Sequence, residues 1–210
     1  MIDTLLQAAK PALVPAFSLL GSPVTWLEVV AFGLSIWMVL ANFKVNPVAW
    51  PLAIVSSALY ALLFADSRLY GEASLQIVFI VVACWGWWQW LRGTDESGAK
   101  LQVHRLAARQ RRAVAAATLA GWPLLGLLLG RLTDSDVPFL DALPTVGSLA
   151  GQFLLGRKLI ENWAVWLAVN VFSVGLFAYK ALWLTVLLYA LFALLSVQGW
   201  REWRKLEGHG

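Results

Sequence analysis

The sequence predicts an all-α membrane protein of seven transmembrane helices, arranged as two parallel three-helix repeats joined by a linker helix, a 3+1+3 plan. Three observations predict it. Sixty per cent of the 210 residues are apolar and 13% are charged, whereas a soluble domain carries about a quarter charged. The apolar residues are spread over the whole chain, in windows long enough to cross a bilayer. The chain also repeats itself at one fixed offset, GWWQW from Gly86 against GWREW from Gly199.

Taken in order, residues 1–22 read as an N-terminal interfacial segment with an amphipathic start. They are broken by Pro11 and Pro15 and lack the basic n-region and cleavage site of a signal peptide. Spans fall near 24–41, 47–65 and 73–91, forming a first bundle over 23–91. Pro47 and Pro51 flank Trp50 in the second span, and Pro51 would kink it or free a carbonyl. The segment 92–112 is the long polar loop, followed by a linker span over 113–130 containing Gly121, Pro123 and Gly126. A second bundle over 131–203 holds spans near 140–157, 162–178 and 183–200, and residues 204–210 form the tail.

Charge sets the expected orientation. The long loop holds Arg92, Lys100, Arg105, Arg109, Arg111 and Arg112 against Asp95 and Glu96, so it is placed in the cytoplasm. Arg157 with Lys158, and Arg201, Arg204 and Lys205 in the tail, agree; Asp134, Asp136 and Asp141 fall outside. The C-terminus is then cytoplasmic and the N-terminus outside. In so apolar a chain a net charge of +4 marks membrane faces, and nucleic acid is not an expected partner.

The repeat runs without a gap at an offset of 113 residues: LFA at 63–65 meets LFA at 176–178, and Trp50 meets Trp163. Leu69 meets Leu182, Leu75 meets Leu188 and Phe79 meets Phe192. A three-span unit starts and ends on opposite sides, so a second copy in the same orientation needs one extra crossing. Span four supplies it. Parallel repeats about the membrane normal are the plan of SWEET transporters, with the substrate site near the midplane between the bundles.

Intramembrane polar residues are functional candidates by default. In ENWAVWLAVN, residues 161–170, Trp163, Trp166 and Asn170 lie at i, i+3 and i+7 and read as one helical stripe. Gln76, Tyr60, Gln152, Tyr189 and Trp50 complete the candidate substrate-binding set, with Ser56, Ser57, Asn162 and Ser173 as further polar positions. Indole faces stack on flat rings and attract delocalised cations, while amides serve hydroxyl and carboxamide groups. No Arg or Lys lies well inside a span, so a phosphate or carboxylate finds no partner. The expected ligand is a neutral or cationic aromatic compound.

Structural readings stand beside these. An aromatic belt accounts for Trp87, Trp88, Trp90, Trp200 and Trp203, and Trp163 near its span's start could belong to it. Gln152 could be a helix–helix hydrogen bond, and Glu161 and Asn162 a helix start. His104 and His209 lie in the loop and the tail, so no metal or cofactor is expected, and one cysteine, Cys84, allows no internal disulfide. No base or carboxylate pair lies deep in a span, which argues against an intramembrane enzyme, the alternative from another class, and disfavours ion coupling. No P-loop is present, so ATP drive is excluded.

The stretches WPLAIVSSALYALLFADSRLYGEASLQ, GWWQW, DALPTVGSLAGQFLLGRKLIENWAVWLAVN and YKALWLTVLLYALFALLSVQGW resemble the PnuC family of bacterial vitamin transporters, over about 47–203. The resemblance implies a SWEET-like fold, a homotrimer in the bilayer of the inner membrane, and facilitated diffusion of an unphosphorylated vitamin trapped inside by phosphorylation. It places the family's WxxW element on Trp163 and Trp166 and implies nicotinamide riboside as substrate. Many relatives have an acidic residue where this chain has Asn170, and thiamine or another cationic aromatic vitamin is the alternative.

Overall fold

The computed structural model describes residues 10–19, 21–66, 70–95, 98–132, 137–179 and 183–207. Expectations resting on residues 1–9, Leu69, Glu96, Asp134, Asp136, Leu182 and His209 lie outside the described residues. Seven α-helices lie among the described residues: α1 (Trp26–Phe43), α2 (Ala49–Asp66), α3 (Tyr70–Arg92), α4 (Ala108–Leu132), α5 (Pro138–Gly156), α6 (Asn162–Tyr179) and α7 (Trp183–Leu206). Among the described residues, five are long and apolar enough to cross a membrane: α1, α2, most of α3, α4 and α6.

Two features differ from the sequence reading. Ahead of α1 stand a single 3-10 turn, Lys10–Ala12, and an antiparallel hairpin of β1 (Pro15–Leu19) and β2 (Ser22–Thr25). The hairpin ends in the cap of α1, where Thr25 and Glu28 form a reciprocal capping box. Pro51, read as a kink or a freed carbonyl inside a span beginning near residue 47, falls instead at the start of its helix. Helix α2 begins at Ala49, so Pro51 lies in its first turn, where backbone N–H groups have no intrahelical acceptor anyway.

The chain forms two compact units, Met1–Trp87 and Trp88–Gly210. In the first, α1 packs on α2, and Ser35 and Ser56 hydrogen-bond across that contact at 2.8 Å. The Ala31 carbonyl lies 2.8 Å from Ser35 Oγ and 3.3 Å from Ser56 Oγ, so one hydroxyl can donate to it while the other donates across the pair, and both hydrogens are used. In the second unit α4 packs on α5, α5 on α6, and α6 on α7.

The offset of 113 reappears in the backbone. Helices α2 and α6 start 113 residues apart and end 113 apart, and α3 and α7 also start 113 apart. Among the described residues, Val45 (φ 51°) and Lys158 (φ 55°) are the two non-glycine positions with positive φ, and they are equivalents. Around them the turn hydrogen bonds coincide: Val45 N to Asn42 O and Asn46 N to Ala41 O match Lys158 N to Leu155 O and Leu159 N to Leu154 O. A left-handed residue costs a β-branched or long side chain about 1–2 kcal/mol. Both turns adopt it because it lets two carbonyls at the helix end be satisfied before the chain reverses.

The polar segment before α4 is no free loop. Helix α4 starts at Ala108, five residues earlier than the expected span, which takes Arg109, Arg111 and Arg112 into its first turns. Residues 101–106 run as a strap against the α5–α6 turn. His104 N–H donates to the Lys158 carbonyl and the His104 carbonyl accepts from Ile160 N–H. Leu106 N–H donates to the Glu161 carboxylate, which also takes the Arg111 guanidinium at 3.1 Å. Leu106 packs with Leu154 and Leu159 in one buried cluster.

Candidate functional site

The candidate residues fall into both units. In the first, Trp50 is 1% exposed, and its ring covers Gly86 of α3 so closely that any side chain there would run into it. Tyr60 is half-buried and stacks on Phe64 with ring centroids 6.1 Å apart. Gln76 is half-buried on α3.

In the second unit the expected stripe of α6 divides. Trp163 and Asn170 face α7, while Trp166 faces α5. The reason is angular: a residue three further along a helix lies about 60° around it from the first, whereas one seven further along returns to within about 20°. Trp163 is 3% exposed and lies on Gly199, the equivalent of Trp50 on Gly86. Its edge meets Trp203 at 5.6 Å in a T-shaped pair. Asn170 is buried and its Nδ2 donates to Ser196 Oγ at 3.1 Å, while that hydroxyl donates to the Phe192 carbonyl. Trp166 lies across Gly151, and Val169 fits over Gly147, so the two glycines four residues apart let α5 and α6 approach closely.

The buried polar atoms of this unit that have no hydrogen-bond partner among the described residues include Gln152 Oε1 on α5 and Ser173 Oγ on α6. Ser173 is fully buried. Orphaned polar atoms of this kind are expensive at membrane depth and call for a partner the protein does not supply. Asn162, the first residue of α6, donates its Nδ2 to the Leu159 carbonyl at 2.6 Å, while its Oδ1 accepts no hydrogen bond among the described residues, so it does not cap the helix in the way the sequence suggested. Tyr189 stacks on Phe177 at 5.1 Å and meets the edge of Phe192 at 6.3 Å.

The belt reading needs correction for two tryptophans. Trp87 and Trp88 are exposed, but Trp90 is 2% and Trp203 0% exposed. Trp90 Nε1 donates to the Leu155 carbonyl at 2.9 Å, and its ring lies 6.2 Å from that of Trp203. Trp90 lies about 200° around the helix from the exposed Trp88, two residues before it, and so faces inward, and Trp203 packs inward on Trp163. Beside them Lys158, read from the sequence as a loop charge, is buried; it donates to the Leu101 carbonyl at 2.9 Å with its ammonium 5.4 Å from the Trp90 ring. Burial, and secondarily Lys100, pull its pKa below the usual lysine value. Ser35 and Ser196 escaped the sequence reading; for Ser35 the signal was Ala31, a small residue four positions before it.

The model of the nicotinamide mononucleotide transporter family matches residues 25–205. The riboflavin/roseoflavin transporter RibM of Streptomyces davaonensis is 28% identical over 90% of this chain and 89% of its own. The nicotinamide riboside transporter PnuC of Escherichia coli is 25% identical over 71% of this chain and 73% of its own. Among solved structures, the crystal structure of the vitamin B3 transporter PnuC superposes with a TM-score of 0.72 at 25% identity, covering 98% of this chain and 89% of that one.

Proposed function

The chain belongs to the PnuC family of multi-pass membrane vitamin transporters and is not an enzyme, and from that premise we propose that it moves nicotinamide riboside by facilitated diffusion. In this reading the two helix trios and α4 form the 3+1+3, SWEET-like arrangement. They sit in the inner membrane as a homotrimer with the C-terminus cytoplasmic, alternate access to either side, and leave trapping to phosphorylation inside the cell. The observation that carries the reading is the pair of orphaned atoms, Gln152 Oε1 and Ser173 Oγ, on the two helices that hold Trp166. A hydroxyl is donor and acceptor and an amide oxygen an acceptor, which suits ribose hydroxyls and a carboxamide. Trp166 then supplies the ring face for the pyridinium. Trp50 and Trp163, sealed on glycines, act by holding the helices, and Asn170 by its bond to Ser196. Gln76, Tyr60 and Tyr189 are the remaining proposed contacts.

A second reading, riboflavin, is favoured by one observation: the riboflavin transporter aligns over 90% of this chain. A neutral flavin also needs no carboxylate, in keeping with Asn170. Binding and counterflow in proteoliposomes separate the readings, using labelled nicotinamide riboside, riboflavin and thiamine with Trp166→Ala and Gln152→Leu alongside. Saturable nicotinamide riboside exchange, lost in both variants, is expected. Exchange of riboflavin or thiamine alone keeps the transport site and replaces the substrate. Exchange that both variants leave intact removes the assigned site.

A further inference from the structure

We propose that the groove between α4 and α5 is a binding site for one phospholipid with an anionic headgroup, its acyl chain in the groove and its phosphate on the arginines at the groove's basic end. The groove has a volume of about 400 Å³ and is open on one side. Its walls are Ala113, Val114 and Ala117 of α4 and Val146, Ala150 and Phe153 of α5. The one hydroxyl in the lining, on Thr118, is turned back onto the Val114 carbonyl at 2.9 Å, so it offers the groove nothing polar. Small side chains on α4 face larger ones on α5, which leaves a trough where two helices of leucine would interlock.

The charge at its end selects the headgroup. Arg109 lies one turn before Ala113 and two before Ala117, on the same stripe of α4, and Arg112 is its neighbour on the next turn. Both are exposed, and neither has an ion pair among the described residues; Arg111, between them, is taken by Glu161. Helix α4 carries no acidic residue at all, and the acid of α5, Asp141, stands at the opposite end of that helix. Arg157, at the end of α5, takes no part, because its guanidinium donates to Gln89 Oε1 at 3.3 Å. An apolar trough ending in two unpaired guanidinium groups has the two-part chemistry of an anionic glycerophospholipid. Guanidinium groups bind phosphate in a bidentate manner, and each basic residue near an anionic lipid surface contributes attraction of its own.

The test uses the full-length protein, delipidated in detergent, with phosphatidylglycerol and phosphatidylcholine of identical chains titrated in and bound lipid counted by native mass spectrometry. One phosphatidylglycerol is expected to be retained, at least about tenfold more strongly than phosphatidylcholine. Arg109→Gln with Arg112→Gln should abolish that preference. Ala117→Phe, which fills the trough, should remove the lipid while leaving both arginines in place. Equal retention of the two lipids, or indifference to the paired arginine variant, overturns the proposal. So does a disulfide between copies through Ala117→Cys in membranes, which would put a second copy in the groove.

Discussion

Replacing Gly199 with alanine sets two effects of opposite sign against each other. A methyl group there would stand 2.5 Å from three ring carbons of Trp163, well inside van der Waals contact. The ring has nowhere to go, since it is 3% exposed and held at its edge by Trp203. Overpacking of this kind costs about 1–3 kcal/mol, while alanine in place of glycine inside a helix returns about 0.5–1 kcal/mol. The net expectation is a loss of about 1–2 kcal/mol, measured by reversible unfolding in mixed micelles. Gly175→Ala is the control: no atom lies within 4 Å of a methyl group there, so the propensity gain should stand alone. In a Trp163→Leu background the clash is gone, and Gly199→Ala should turn neutral or favourable, a coupling of about 1–2 kcal/mol. If Gly199→Ala behaves like Gly175→Ala, and shows no coupling to position 163, Trp163 is not the element that fixes α6 on α7.

Three further outcomes follow from the same geometry. Glu161→Gln weakens the acceptor of Leu106 N–H and the pair with Arg111, and limited proteolysis should then cut residues 101–106 faster than in the parent. Asn170→Leu removes the donor to Ser196 Oγ and should cost about 0.6–2 kcal/mol of stability, even if transport is unchanged. Lys158 has its pKa lowered by burial. Between that value and the ordinary lysine value of 10.5 the unfolded chain holds a proton that the folded one has released. Stability of the parent relative to Lys158→Met should therefore rise as pH increases through that window and be flat below it; an opposite slope in a pH series of unfolding curves would show that the ammonium is stabilised where it sits.

The described helices and their order were legible in the sequence, because a bilayer imposes length and composition on each crossing helix separately, and five of the seven described meet that demand. The offset of 113 was legible too, since equivalent Trp residues stand out in a chain of Leu and Ala. Its backbone consequence was not. Nothing in Val45 and Lys158 as letters says that both turns are left-handed; only the pattern of carbonyls to be satisfied around them does. The strap over the α5–α6 turn was invisible for a related reason, as its bonds at His104 run between backbone groups that every sequence possesses, and the side-chain acceptor of Leu106 N–H, Glu161, reads in the sequence as a helix start.

What the sequence by itself determined is the class of molecule: membrane helices, a repeat, and a set of aromatic and amide side chains where hydrocarbon would be cheapest. What only the tertiary structure decided is which of those side chains hold helices together. Trp163, Trp166 and Asn170 share a stripe at the resolution of helical periodicity, yet Gly199 captures the first, Gly151 the second and Ser196 the third. The partners come from other helices, and a one-dimensional period fixes the direction in which a side chain leaves its own helix but not what waits there.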